Sequence, residues 1–239
     1  MRDFKTDKLL EGIISSLERI ASVYDRMSRA VTLRMDRIFR SYVRDRAIGL
    51  KIIDIGAGTG IMYSYLEKAL AVIHRKTGRV PIYVFVEPLD SYLNILWKRY
   101  RGSLYTDIVQ GFAEHMPFRD DSIDTVISAF MLRDVRDLVS TLINFRRVSK
   151  KIVVLDFYKP NNMFSYVIEL FYMSTVVPIM SLLYAPRHVK DYMYIRESVL
   201  TQIRLKDLLK ILSRIFVFSP RDLKCWFSCI IYAIRLEKR

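Results

Sequence analysis

KIIDIGAGTG, residues 51–60, joins a short apolar run to a loop with glycine at three of its last five positions. Glycines let the backbone turn sharply and approach a ligand closely. A helix expected from about Ile61 to Lys76 aims its N-terminal N–H groups at the same place. The unit repeats outward along the chain. PIYVFVEP (81–88) reads as a second strand followed by a helix over Ser91–Tyr100, and LYTDIVQG (104–111) as a third strand. IDTVISAF (123–130) and KIVVLDFY (151–158) read as a fourth and fifth strand, separated by a helix over Leu138–Val148. Strands alternating with helices, each strand nearly continuous in apolar residues, predict an α/β fold. Its parallel sheet is covered on both faces and joined by right-handed crossovers.

Both ends depart from that alternation. Residues 1–46 have helical periodicity, with Leu9, Ile13, Ile14, Leu17 and Ile20, then Val31, Met35, Ile38 and Tyr42, at three- and four-residue steps. They are expected to form a helical arm on a single domain spanning 1–239. The first fourteen residues, MRDFKTDKLLEGII, lack the apolar core and cleavage site of a secretory signal. After Pro160 an apolar stretch, Met163–Tyr184, is long enough to span a bilayer, but Glu169 and Pro178 interrupt it. A helical lid over 163–200 is expected instead. A helix over Leu205–Leu212, the run IFVF, and CWFSCIIYAIRL (225–236) then resume the alternation, the last two as an edge hairpin. If the last run is one extended strand, Cys225 and Cys229 lie about 13 Å apart, too far to bridge, and read as two buried thiols in a reducing compartment.

The composition, 51% hydrophobic and 27% charged, excludes a disordered chain, a collagen-like repeat and a small disulfide scaffold. A net charge of +14 favours an anionic surface, either lipid headgroups or nucleic acid. From Arg187 onward 12 basic residues face 5 acidic ones, a net of +7 that would hold the chain on anionic lipid. Two Gln and four Asn, beside abundant Arg, Lys, Ile and Tyr, hint at a thermophilic source. The three histidines, His74, His115 and His188, are scattered without metal-ligand spacing, so no metal is expected.

The chemistry concentrates at the loop. Asp54 stands just before it, and Met62 and Tyr63 occupy the region where a dinucleotide fingerprint places its third glycine. That arrangement favours S-adenosylmethionine, whose cationic amino end a carboxylate helps to hold. Glu87, ending the second strand, is placed to accept both ribose hydroxyls of an adenosine lying across the strand ends, although dinucleotide enzymes also use an acid there.

Taken together, VYDRMS (23–28), IIDIGAGTG (52–60), GFAEHMPFRDDSIDTVISAFMLRDV (111–135), VLDFYKP (154–160) and YMYIRES (192–198) resemble the UbiE/MenG-like C-methyltransferases of menaquinone and ubiquinone synthesis. The resemblance covers nearly the whole chain. It implies a Rossmann-like, seven-stranded Class I methyltransferase sheet with an antiparallel final strand, and S-adenosyl-L-methionine as donor. It places Gly56, Ala57, Gly58, Thr59 and Gly60 along the methionine and ribose of the donor, with Glu87 on the ribose and Phe112 and Ala113 beside the adenine. Ser128 and Ala129 fall at the end of the fourth strand. Members commonly have a polar residue at Phe112, Asn at Asp134, His at Asp36, Gly at Arg34 and a longer turn before VSKKIVV (148–154).

The acceptor implied is a lipophilic polyprenyl quinol such as demethylmenaquinol, handled by a cytoplasmic protein in peripheral contact with the inner face of the membrane. Arg133 would stabilise the phenolate that develops, with Asp134 or Tyr24 placing the proton-accepting group. An aspartate at 134 can be a direct base, which an asparagine cannot. Phe164, Ile168, Phe171, Tyr172, Val176, Ile179 and Leu183 would form apolar walls for the prenyl tail. Two alternatives remain open: a methyltransferase of another small molecule or of RNA, and a non-catalytic protein that only binds the donor.

Overall fold

The computed structural model describes residues 7–47, 49–227 and 229–239, so the first six residues of the segment read as non-secretory lie outside it. Three N-terminal helices, α1 (Asp7–Ile20), α2 (Tyr24–Val31) and α3 (Asp36–Arg44), precede β1 (Lys51–Ile55), α4 (Tyr63–Thr77), β2 (Ile82–Glu87), α5 (Asp90–Tyr100) and β3 (Thr106–Gln110). β4 (Ile123–Ala129), α6 (Leu138–Val148) and β5 (Ser149–Phe157) complete the parallel part.

Alternation along β5 shows why its sequence is apolar throughout. Ile152 and Val154 pack with Leu142 and Phe145 of α6 on one face of the sheet. Val153 and Leu155 meet Phe39 of α3 and Leu66 of α4 on the other. The start of α6 is set by Asp137, whose carboxylate accepts from the Val139 and Ser140 backbone N–H groups at 2.9 and 3.1 Å.

The strands run β3-β2-β1-β4-β5-β8-β6, with β8 (Ile231–Lys238) antiparallel to β5. The order reverses direction between β1 and β4, which opens a crevice at their carboxyl ends. Among the described residues the sheet has eight strands rather than the seven that the resemblance implies. β6 (Phe216–Val217) and β7 (Leu223–Trp226) both pair with β8 on the side away from β5, at its two ends, as one edge strand interrupted by a turn at Pro220–Asp222.

That split corrects the expectation for the cysteines. CWFSCIIYAIRL is not one strand. β7 ends at Trp226, and the chain reverses with Phe227 and Cys229 at φ 51° and 68°. The Cys225 and Cys229 Cα atoms come to 4.6 Å, and the two are disulfide-bonded. They are not the buried thiols expected, and the inference of a reducing compartment loses its basis.

The segment after β5 is helical: α7 (Met163–Phe171), a π-turn (Tyr172–Val176), α8 (Val177–Tyr184) and α9 (Val189–Leu200), followed by α10 (Leu205–Ile215). Pro178 does not break the helix, because it falls just after the π-turn, where the regular hydrogen-bond ladder is already shifted. Residues Ser165, Glu169, Met173, Val177, Ser181 and Ala185, at strict four-residue steps, face the protein. A four-residue step drifts around an ordinary helix, and the wider π-turn takes up part of the drift. Of the walls expected for a prenyl tail, Phe164, Phe171, Ile179 and Leu183 point outward instead, as does Ile38 of α3.

Candidate active site

A cavity of about 360 Å³ opens at the carboxyl ends of β1, β2 and β4, under α1. Asp54, Gly56, Ala57, Gly58 and Thr59 line it, with Glu87, Phe112, Ala113, Ala129, Arg133, Asp134 and Tyr24. Nearly all of the residues picked from sequence therefore meet in one place. Two do not reach the wall. Ser128 is fully buried inside β4. Gly60 packs under the loop, where a Cβ would lie 2.5 Å from the Tyr100 ring, so its glycine serves the fold. Gly58 differs: at φ 56°, a Cβ on it would meet only Tyr92, at 3.9 Å, so the backbone is left open to the cavity.

The hydrogen bonds that hold the two strand-end acids come from neutral donors. Glu87 is 4% exposed and accepts from the Gly58 N–H at 2.8 Å and the Leu89 N–H at 3.1 Å, tying the glycine loop to β2. Burial pushes its carboxyl up to about 7, against the pull of those two N–H groups. Asp54 accepts from the Tyr83 hydroxyl at 2.8 Å, and burial likewise pushes it up to about 7. Thr59 donates to Asp25 of α2, which also pairs with Arg99 at 3.1 Å, so the N-terminal helices close over the loop.

At the other end of the cavity Arg133 is 7% exposed and sits between two acids. It donates to Asp156 at 2.5 Å, and its Nε lies 3.4 Å from Asp134. Burial works against its charge, but Asp134 and Asp156 outweigh burial and raise its pKa. Burial pushes the Tyr24 phenol up against the pull of Arg133 and Arg40, which favours its protonated, hydrogen-bond-donating form. Phe130, at φ 64°, holds a left-handed backbone unusual for a bulky residue, with the Arg40 guanidinium 5.3 Å from its ring centre.

Beyond Tyr24, Phe130 and Arg133 lies a second cavity of about 210 Å³, which those three residues share with the first. Its walls are mostly apolar, from Met27 and Val31 of α2, Phe157, and Ile168, Tyr172, Met173 and Val177 of the helical insertion. The Tyr172 hydroxyl donates to the Val31 carbonyl at 2.5 Å, tying insertion to arm.

The residues fit S-adenosylmethionine. A buried strand-end carboxylate reaches the cavity with acceptor sites to spare, a glycine backbone is bare beside it, and a second acid faces the loop. A model of the ubiE/COQ5 methyltransferase family matches residues 2–215. The chain belongs to that family. It is an S-adenosylmethionine-dependent methyltransferase. The chain is similar to the ubiquinone/menaquinone biosynthesis C-methyltransferase UbiE of Hahella chejuensis, 29% identical over 76% of this chain and 74% of that one. It is similar also to the demethylmenaquinone methyltransferase of Staphylococcus aureus, 26% identical over 83% and 80%. Among known structures, a protein of Methanococcus maripaludis described as an S-adenosyl-L-methionine-dependent methyltransferase has a TM-score of 0.61 at 16% identity, covering 92% and 93% of the two chains. A SAM-dependent methyltransferase of Aquifex aeolicus has a TM-score of 0.53 at 15% identity, covering 80% and 85%. These two neighbours bear on the fold alone.

The sequence did not single out Asp156, Arg40 or Asp25. Asp156 follows the logic that found Asp54 and Glu87, an acid near the carboxyl end of a parallel strand, and was legible inside VLDFYKP. Arg40 was not, because an arginine on an amphipathic helix reads as solvated, yet it is 3% exposed. At Arg34, where the family commonly has glycine, the backbone keeps φ 62°. The departure from the family's residue leaves the left-handed turn in place.

Proposed function

We propose that this methyltransferase alkylates a ring carbon of a prenylated quinol drawn from a lipid surface. The observation carrying this is the junction at Tyr24, Phe130 and Arg133, where the cavity lined by the glycine loop and the strand-end acids, suited to the donor, adjoins a more apolar one suited to a ring and tail. The donor, when bound, supplies an electrophilic methyl group on a positively charged sulfur. The chain's part is to hold the acceptor ring against it and manage one hydroxyl proton. Arg133, kept cationic by Asp134 and Asp156, faces the oxygen whose negative charge makes the adjacent carbon nucleophilic. Asp134 takes the hydroxyl proton, and Tyr24 donates a hydrogen bond beside it.

The supporting features extend to the surface. Met163–Tyr184 is a 22-residue helix of mean hydropathy 1.6, long and apolar enough to cross a membrane, with 22% of its most apolar window buried. Its inward stripe carries Ser165, Glu169 and Ser181 and docks on the protein, while Met163, Phe164, Val167, Phe171, Leu182 and Leu183 stand out into the surroundings. A helix of this kind lies in the lipid interface rather than through it, and the basic excess of the chain complements anionic headgroups.

Anaerobic incubation with methyl-labelled donor, offering in parallel a demethylated prenyl-naphthoquinol, its oxidised quinone and RNA, tests the proposal. Label on the quinol ring carbon is expected. Label confined to RNA, or no transfer to any of the three, overturns it.

A further inference from the structure

The second cavity holds a charged group that nothing above uses. Glu169 lies in the middle of the most apolar stretch of the chain, on the inward stripe of α7, and is 1% exposed. It lines the cavity beside Ile168, Tyr172 and Met173. Neither of its carboxyl oxygens has a hydrogen-bond partner among the described residues. Lys159 pulls on it through space, but that ammonium sits 4.2 Å from the Tyr166 ring centre. The cationic groups on the cavity wall itself, Arg133 and Arg196, are engaged with Asp156 and Glu197. Burial pushes the Glu169 carboxyl up to about 7.

An unpartnered buried polar group costs about 1–3 kcal/mol, and more when charged. A leucine there would suit both the helix and the fold. A carboxyl that is costly to the fold and aimed into a binding cavity marks a contact made only with ligand present. The Tyr192 hydroxyl, which lines the same cavity, is likewise buried without a partner among the described residues.

We propose that Glu169 is the acceptor-side anchor of the site, taking a hydrogen bond from the ring hydroxyl remote from the reacting carbon and so selecting the reduced, dihydroxy ring over its oxidised form. The inference rests on the quinol proposal and adds a residue and a redox preference to it. An ionised carboxylate only accepts hydrogen bonds. A quinol presents hydroxyl donors to it, whereas a quinone presents carbonyl oxygens, which the carboxylate repels. A ring held by Arg133 at one oxygen and Glu169 at the other has its face fixed toward the donor cavity, which is the orientation that ring-carbon attack requires.

Glu169→Leu and Glu169→Gln, assayed anaerobically at pH 8 with a short-chain prenyl-naphthoquinol and its quinone, test the proposal. Glu169→Leu is expected to lower kcat/KM for the quinol about tenfold or more, mainly through KM, consistent with losing one hydrogen bond to a charged group. It should also abolish the preference for quinol over quinone in competition, leave donor affinity unchanged and raise the Tm. Glu169→Gln, which keeps the shape, should fall between and serves if the leucine variant misfolds. Opposite movement of Tm and acceptor affinity is a pattern that a merely structural role does not give. Wild-type kcat/KM and quinol preference in both variants overturn the proposal. If the wild type transfers no methyl group to the quinol, the functional proposal fails. Direct titration of quinol and quinone then still decides this one: a preference for quinol that the variants lose supports it, and equal or absent binding overturns it.

Discussion

The two cavities differ in how their carboxylates are held. Around the first, the Tyr92 hydroxyl and Arg40 Nε are buried without partners among the described residues, but the acids are engaged. Glu87 holds Gly58 and Leu89, Asp54 holds Tyr83, and Asp25 holds Thr59 and Arg99, so the carboxylates of the donor end are in place before anything binds. Around the second, Glu169 and Tyr192 carry buried polar atoms without partners among the described residues, inside walls of Met, Val, Ile and Phe. A preorganised end suits a donor that is always the same molecule. An end that lacks its partners gains them only from the right acceptor, which is where specificity resides. Arg133 belongs to both, and its acids tie it to the fold.

The comparison breaks most sharply at that shared residue. Arg133→Ala strands Asp156, which is fully buried, and removes the charge facing the acceptor oxygen. Activity is expected to fall by about 10²–10³ in kcat, and stability by about 3–5 kcal/mol. Steady-state kinetics and denaturant unfolding read these two losses. Arg133→Lys should recover part of the stability and little of the rate, since an ammonium cannot repeat the two-acid geometry.

Glu87→Ala should act on the donor end only. Loss of a carboxylate contact to the ribose weakens donor affinity about 10- to 100-fold by calorimetry, while acceptor titrations stay unchanged. Equal effects on both ligands would merge the two cavities into one site.

Protonation gives a subtler separation. Glu87, Asp54 and Glu169 all bind protons more tightly folded, at about 7, than at their ordinary values of 4.5, 3.8 and 4.5. Between about pH 4 and pH 7 the unfolded chain has therefore released protons that the folded chain keeps, so the share of stability from these groups is full at low pH and declines as pH rises through that window. Scanning calorimetry of donor-free protein should show Glu87→Gln flattening part of this decline. Saturating donor should flatten the part belonging to the first cavity and leave that of Glu169.

The smallest effect on chemistry belongs to the outer surface. Replacing Phe164, Phe171 and Leu183 together by serine should release the chain from anionic vesicles in sedimentation, yet change turnover of a water-soluble short-tail quinol less than twofold. Unaltered vesicle binding would remove the interfacial helix from the account.

What the sequence disclosed follows the same division. Parallel strands buried on both faces must be apolar throughout, so β1, β2, β4 and β5 were found within two residues of their ends, and the glycine loop and strand-end acids came with them. The acceptor end obeys no such rule. Periodicity cannot say which side of a 22-residue apolar helix faces the protein, and the side that turned inward carries Glu169 rather than Phe164 or Leu183. Nor does a hydrophobic run announce the left-handed backbone at Phe227 and Cys229, which is why the Cys225–Cys229 bond was hidden in what read as one strand.

The central claim, two cavities meeting at Arg133 with one ligand in each, is tested most directly by a crystal structure with S-adenosylhomocysteine and a prenyl-naphthoquinol. The account predicts the nucleoside hydroxyls on Glu87 and the quinol ring between Arg133 and Glu169, with its tail along Tyr172 and Met173. A quinol bound outside the second cavity, or a nucleoside away from Glu87, contradicts it.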